Sequence, residues 1–338
     1  MHTLTLIATF LNLAILQGTP LLYGATGEIL TEKSGNLNLG IPGIMYIGAI
    51  SGVIGTFFYE NSPIFVPAIG VVIALISCLI GSLLASLIYC FLTITLRANQ
   101  NVTGLALTTF GVGFGNFFGG SLIKVTKSSV PYIALSETGD AFAWHLHFED
   151  LPFADSGFGR AIEWLWTILF SYGFMVYLAI ALAILASYFL NRTRRGLHLR
   201  AVGENPATAD AAGINVTRYK YFATCAGGMI AGLGGLFFIM DYSGGIWSND
   251  GFGDRGWLAI AIVIFAIWRP SLAIPASYLF GALYILYNWL HMPMQMIPIM
   301  QMLPFVVTIL ALVFTSVRKK RENQPPASLG LSYFREER

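Results

Sequence analysis

Long apolar segments separated by short polar ones run through most of the chain. Residues 64–96 contain no charged side chain, whereas a helix needs only about 20 apolar residues to cross roughly 30 Å of hydrocarbon. The pattern predicts an all-α, polytopic membrane protein with about 8–10 transmembrane helices. The predicted spans are 4–22, 41–58, 64–96, 102–122, 164–190, 222–240, 257–268, 272–290 and 297–317.

Composition supports the same class. Of the 338 residues, 56% are hydrophobic and 11% are charged, about half the charged share of a typical soluble domain. The first apolar segment could be read as a cleavable signal peptide. However, no basic region precedes it and it leads directly into further membrane-like sequence, so we expect an uncleaved first span.

Residues 26–40 are too polar for a lipid-facing helix, because they include Glu28, Glu32 and Lys33. Irregular backbone at membrane depth is tolerated only where it is buried in protein or lines a cavity. The segment is therefore either a re-entrant element or a cytoplasmic loop. The loop interpretation is favoured for its charged half, with the end at 36–40 reaching inward.

A polar island at residues 192–221 separates two apolar segments. Asn205 can cap a helix, Pro206 suits the first helical position, and Gly213 can end the helix in the left-handed conformation. The pattern predicts a helix over 206–212, which is too short to be stable alone. The island carries six basic residues, which place it on the cytoplasmic face: Arg192, Arg194, Arg195, Arg200, Arg218 and Lys220.

These features fit either an ordinary basic loop or a helix that docks on a partner. The runs GENPA from Gly203 and ADAAGIN from Ala209 resemble the coupling loop of permease subunits of ATP-binding-cassette (ABC) importers, in the branch for branched-chain amino acids, ribose-type sugars and nucleosides. The run PLLYGATGEILTEKSGNLNLGIPG from Pro20 is similar to a segment of the nucleoside and simple-sugar members, although Pro42 stands where an acidic residue is usual. The resemblance covers most of residues 20–270.

The resemblance implies the ABC importer permease fold and assigns roles within the island. Asn205 and Pro206 would start the docking helix, Ala209, Asp210 and Ala212 would form its contact surface with an ATPase, and Gly213 would end it. The alternative is that Asn205 and Gly213 only cap a loop helix. Capping and docking are compatible.

The chain has no G-x-x-x-x-G-K-[ST] sequence and thus no phosphate-binding loop of its own. We therefore expect no cofactor and no catalytic residues in this chain, with ATP and magnesium bound by partner ATPase subunits. By this pattern the central spans also lack the buried charges of an ion-coupled carrier, which disfavours that alternative. An intramembrane enzyme has little support, since no H-E-x-x-H occurs within a span.

The predicted function is therefore that of a transport subunit rather than an enzyme. By alternating access it would import a small polar solute, with nucleosides first, simple sugars second and branched-chain amino acids behind them. The implied partners are ABC ATPase subunits, a second permease subunit (a related chain or a second copy), an extracytoplasmic solute-binding protein and the lipid bilayer. No nucleic acid is expected.

Neutral hydrogen-bonding side chains suit a pathway for an uncharged solute. The candidates are Asn36, Asn38, Asn116 and Asn288. Each could instead bond a neighbouring helix.

Two sets of residues are possible metal ligands. His145 and His147 form an H-x-H pair, which is weak evidence for a metal without a clear third ligand. The cysteines Cys78, Cys90 and Cys225 have no paired spacing and read as small apolar residues rather than disulfides or metal ligands. No metal site is predicted.

This layout gives a permease domain at 1–317, with a cytoplasmic coupling loop at 191–221 and an outer loop at 124–160 that caps the outside. A polar tail at 318–338 is expected to be flexible and cytoplasmic. Of the 19 Lys and Arg residues, all but Lys124, Lys127, Arg160 and Arg255 then lie inside. That bias is what the positive-inside rule requires of a multi-pass protein of the cell membrane.

Overall fold

The computed structural model describes residues 2–125, 131–145, 164–290, 293–318 and 324–335. Its longer helices are α1 (His2–Glu32), α2 (Ile41–Glu60), α3 (Pro67–Cys90, extended by a π-helical turn at Phe91–Thr95) and α4 (Gln100–Val125). Strand β1 (Tyr132–Ala134) and α5 (Ser136–Ala143) follow, then α6 (Phe174–Arg192), α7 (Arg194–Glu204), α8 (Pro206–Ala211) and α9 (Val216–Phe237, with a π-helical turn at Phe238–Tyr242). The last elements are β2 (Ile246–Ser248), α10 (Arg255–Phe265), α11 (Pro270–Trp289), a 3-10 turn (Met294–Met296), α12 (Ile297–Gln301) and α13 (Leu303–Arg318).

Seven helices within the described residues are long and apolar enough to cross a membrane: α1, α2, α3, α4, α6, α9 and α11. Two shorter apolar helices, α10 and the stretch at 297–313, accompany them. The predicted class, a helical multi-pass membrane protein, is confirmed. The fifth span begins later than predicted, because the chain leaves the helix at 170–173 and α6 starts only after the extended Gly173.

The centre of the bundle is formed by α2 and α9. In each of them 78% of the apolar stretch is buried, against 28% in α3 and 33% in α4. Helix α1 crosses α9 where Gly27 faces Gly227, since a Cβ on either glycine would overlap the other's carbonyl oxygen. Small residues at such crossings let helices approach closely enough for van der Waals packing to hold them together.

Strands β1 and β2 pair antiparallel, with Ile133 opposite Trp247. The Trp247 side chain is buried and its indole fills the space beside Gly119 of α4. The pairing ties the segment after α4 to the segment after α9, which lie far apart in sequence. His147 of the H-x-H pair lies outside the described residues, and no metal-holding group of three His, Cys, Asp or Glu occurs within them.

The charged half of segment 26–40 is helical, so its prediction as a loop is wrong. Helix α1 continues to Glu32, and both Glu28 and Glu32 are buried. Glu28 Oε1 accepts a hydrogen bond from the Asn38 amide at 3.0 Å, and Glu32 Oε2 accepts one from Trp268 Nε1. One oxygen of each carboxylate thus accepts an N–H bond from outside the helix, which lowers the cost of burying the two side chains. Helix α1 thus carries two buried carboxylates, so the prediction that the spans lack buried charged residues is wrong.

The end of the bundle that carries residues 192–221 is called the basic end below. The inward reach predicted for 36–40 is confirmed there, because Asn36 and Asn38 are both buried. The loop is held by Gln100, whose Oε1 accepts from the Leu37 amide at 2.7 Å, and by Tyr89, whose hydroxyl donates to the Leu37 carbonyl. The loop between α1 and α2 is therefore a packed part of the structure.

Two of the three cysteines come together, which their spacing in sequence did not indicate. Cys90 at the end of α3 and Cys225 in α9 have their Sγ atoms 3.9 Å apart, while Cys78 is buried away from them. A membrane-permeant two-electron oxidant is therefore expected to link Cys90 to Cys225 within one chain: the oxidant takes up two electrons, both thiols lose their protons and the S–S bond forms. Mass spectrometry of the digested protein should recover the linked peptide, and Cys78→Ser should not change its yield. Linkage of Cys78 instead would contradict this packing.

Candidate functional site

Helix α8 begins with the predicted cap. Asn205 has extended backbone angles, and its Oδ1 accepts a hydrogen bond from the Thr208 amide at 3.0 Å. Pro206 occupies the first turn, where its missing N–H costs nothing. The predicted helix start is confirmed, and α8 covers Pro206–Ala211 with Ala212 as its C-terminal cap.

Gly213 ends the helix as predicted. Its φ of +83° lies in the left-handed region that glycine adopts without strain. The Gly213 amide donates to the Asp210 carbonyl at 2.9 Å, and the Ile214 amide donates to the Ala209 carbonyl at 3.0 Å. This pair of bonds is the Schellman motif, which satisfies the last carbonyls of a helix. Six residues thus form a helix with both ends closed.

One face of α8 holds it to the rest of the protein. Ala209 is buried in a small apolar cluster with Val202 of α7 and Val216 of α9. Ala209 therefore lies on the inner face, and its predicted place on the contact surface is wrong. The cluster fixes α8 to the helices on both sides of it in sequence.

The other face of α8 is exposed and consists of small side chains: Ala207, Thr208, Ala211 and Ala212, with Gly213 beside them. Ala212, which the sequence assigns to the contact surface, is therefore exposed. A surface of this kind lets another backbone approach closely without displacing long side chains. We call it the outer face of α8.

The sequence assigns Asp210 to the contact surface with the ATPase, but its carboxylate is bound by the C-terminal tail instead. Its Oδ2 accepts a hydrogen bond from the Tyr333 hydroxyl at 2.9 Å and pairs with Arg335 Nε at 3.2 Å. The side chain is only 14% exposed, because residues of the C-terminal tail cover it. The tail at 324–335 is packed against α7 and α8, so its prediction as a flexible segment is wrong for these residues.

Helix α7 meets the loop after α1 through glycines. A Cβ on Gly203 would overlap the Lys33 carbonyl oxygen and lie 3.1 Å from the Gly35 amide nitrogen, and Gly35 itself has a φ of +81°. The two sequence motifs that carry the resemblance therefore touch each other at Gly35 and Gly203. Nothing in their separation along the chain indicated this contact.

A cavity of about 430 Å³ lies beside this contact, between the ends of α1 and α6 and the start of α11. Three basic side chains line it: Lys33, Arg200 and Arg269. Burial lowers the pKa of Lys33, and the nearby Glu204 carboxylate opposes that shift. The basic end thus combines a closed short helix, a glycine contact and a concentration of positive charge.

The four candidate pathway residues fall in three places. Asn36 Nδ2 donates to Thr224 Oγ1 at 3.1 Å, and Asn38 Oδ1 accepts from the Gly40 amide at 2.9 Å, both near the basic end. Asn116 lies towards the opposite end, where it makes two hydrogen bonds to Asp250. Asn288 is exposed in the last turn of α11. The structure brings Asn36 and Asn38 into one buried loop and leaves the other two apart from it.

Comparison with known proteins identifies the family to which the chain belongs. A family model described as "Branched-chain amino acid transport system / permease component" matches residues 10–312. The chain belongs to this family. It is thus the transmembrane permease of an ABC importer, a transport subunit without its own ATPase domain.

Three relatives cover most of the permease. A protein named putative glucose ABC transporter permease, from Haloferax volcanii, is 33% identical over 82% of this chain and 76% of its own. A nucleoside ABC transporter permease of Lactococcus lactis is 32% identical over 88% and 89%. A guanosine ABC transporter permease of Bacillus subtilis is 30% identical over 92% and 93%. No solved structure matches the permease.

Membership of this family establishes the general arrangement of the transporter. The permease is a multi-pass membrane protein that works with ATPase and binding-protein partners, as ABC importers do. Membership also implies that the permease has no nucleotide-binding site of its own. The resemblance read from the two motifs is confirmed.

Proposed function

We propose that this permease imports a nucleoside and that its ATPase subunits dock on the outer face of α8. The observation that carries the docking site is the geometry of α8: a helix of six residues, closed at both ends, anchored by Ala209 on one side and exposed on the other. A simple sugar is the second candidate solute, because a relative of similar identity is named as a glucose permease.

Movement of α8 can be transmitted to the membrane helices through two sets of contacts. The first is the apolar cluster that joins α8 to Val216, at the start of the deeply buried α9. The second is α7, whose Gly203 lies against the loop between α1 and α2. Displacement by a closing pair of ATPase subunits would therefore shift α1, α2 and α9 together. Since these helices form the centre of the bundle, such a shift is suited to alternating access.

Two asparagines in the buried loop at the basic end support the proposal that the solute is uncharged. Asn36 Oδ1 and Asn38 Nδ2 are buried and have no hydrogen-bond partner among the described residues. One free acceptor and one free donor at a helix junction can exchange bonds with hydroxyl and base groups of a passing nucleoside. Asn116 and Asn288 remain candidates for other stages of the pathway.

The orientation of the permease in the membrane determines where its other partners would bind. We place the basic end and the C-terminus in the cytoplasm of a cell whose plasma or inner membrane holds the protein, because the basic residues concentrate there. A solute-binding protein would land on the opposite end, near the paired strands β1 and β2. A second permease, either a related chain or another copy, would complete the pathway.

The test is solute-stimulated ATP hydrolysis by the complete transporter in proteoliposomes. Nucleosides, glucose, ribose and leucine would each be offered with their own binding proteins. We expect nucleosides to stimulate hydrolysis and to accumulate inside. Stimulation by sugars alone would favour the second candidate, and stimulation by leucine alone would contradict both. Uptake by the permease without ATPase subunits would contradict the docking site.

A further inference from the structure

The C-terminal segment, residues 324–335, lies across the basic end of the permease. It follows α13 and contains Pro325, Pro326 and Gly330, a composition typical of a disordered tail. Yet Pro326 and Ser328 are buried. A polar segment of this kind stays in place only where specific hydrogen bonds offset the cost of ordering it.

The first half of the segment joins the two sequence motifs that touch at Gly35 and Gly203. The Ser328 amide donates to the Gly203 carbonyl at 3.1 Å, and the Ser328 hydroxyl donates to the same oxygen. Two residues later, the Gly330 amide donates to the Gly35 carbonyl at 3.2 Å. The segment therefore bonds the end of α7 and the loop after α1 at the point where they meet.

The second half reaches α8 and α4. Tyr333 packs against the apolar cluster that anchors α8, and its hydroxyl bonds Asp210. The ring of Phe334 lies under the guanidinium of Arg97, 4.6 Å from its carbon to the ring centre, at the turn between α3 and α4. One short segment thus contacts the ends of α1, α4, α7 and α8.

We propose that the C-terminal segment is a force-transmitting brace: it binds α8 to the loop after α1, so that displacement of α8 by an ATPase moves α1 and α2 rather than bending the island. The proposal rests on the proposed function and deepens it. Without the segment, α8 would keep its route to α9 through the apolar cluster but would lose the Asp210 bonds. The contact between Gly203 and Gly35 would lose the backbone bonds that cross it.

An inhibitory role is a different reading, and the geometry disfavours it. An inhibitory tail would cover the surface that the ATPase needs. The segment contacts Asp210 at the side of α8 and leaves Ala207, Thr208, Ala211 and Ala212 exposed. The docking face therefore stays open while the segment is bound.

The experiment compares two variants of the complete transporter with the natural chain. One variant ends at residue 323, and the other carries Tyr333→Phe with Arg335→Gln, which removes the Asp210 bonds and little else. Both are expected to assemble with the ATPase subunits and keep basal hydrolysis. Solute stimulation should fall about tenfold in the truncated form, a typical size for coupling between two sites, and less in the double variant. The matched control is Leu331→Ala, because Leu331 is 61% exposed within the same segment.

A second measurement needs no solute. Hydrogen exchange of the isolated permease should be faster at residues 199–216 in the truncated form, since the segment no longer holds α7 and α8. Slow exchange there combined with full stimulation would overturn the brace. So would higher basal hydrolysis, which indicates inhibition, or lost assembly, which indicates a docking surface. If the natural chain itself shows no solute stimulation, the proposed function fails. The exchange result still tests whether the C-terminal segment holds α7 and α8 in place.

Discussion

The Ala207→Arg permease is expected to lose its association with the ATPase subunits. Ala207 is exposed on the outer face of α8, directly after the proline that starts the helix. An arginine there would place an unpaired charge in the proposed interface, which costs roughly 3–5 kcal/mol when buried. Binding should weaken by at least about a hundredfold, and solute-stimulated hydrolysis should fall to background. Co-purification and hydrolysis in proteoliposomes measure the two effects.

Ala68→Arg is the matched control. Ala68 is also exposed and also follows a helix-starting proline, Pro67, but it begins α3 at the opposite end of the bundle. It should leave assembly with the ATPase subunits unchanged. If Ala207→Arg assembled and responded normally, α8 would be a capped loop helix without a docking role.

The second large effect is expected from Gly203→Leu. Any Cβ at this position overlaps the Lys33 carbonyl oxygen, so α7 and the loop after α1 must separate. Overpacking of this kind typically costs about 1–3 kcal/mol. We expect reduced thermal stability of the purified permease and a loss of transport of at least tenfold, because the route from α7 to α1 is broken. Melting followed by fluorescence and solute uptake in proteoliposomes provide the readouts.

Gly113→Leu is the matched control. It distinguishes crowding at Gly203 from a general effect of replacing a glycine in a helix. Gly113 is exposed on α4, and an added Cβ there meets no described atom within 4 Å. Its melting temperature and uptake should match the natural chain. Full transport by Gly203→Leu would show that the contact between the two motifs carries no movement.

Features that depend on neighbouring residues were predictable from sequence. The caps of α8 follow from Asn205, Pro206 and Gly213, which act within a few residues of themselves, and the structure contains all three in their predicted roles. The apolar spans were also readable, because a lipid environment constrains composition over about 20 residues. Both signals are local.

Features that depend on distant contacts were not predictable. Glu28 and Glu32 read as loop residues because their donors, the Asn38 amide and the Trp268 indole, are visible only after folding. Ala209 could not be assigned to the inner face of α8, since a helix of six residues has too short a hydrophobic pattern to define one. Ser328 and Gly330 belong to a polar, proline-containing tail, and only their bonds to Gly203 and Gly35 reveal that it is ordered.

The position of the C-terminal segment has a practical consequence for protein engineering. Arg335 lies against Asp210 of α8. A bulky label attached to the side chain of residue 335 would therefore lie next to the proposed docking face and compete sterically with the ATPase. A label on the first turns of α1 would avoid this face, because α1 ends in the basic end and its first turns therefore lie at the opposite end of the bundle.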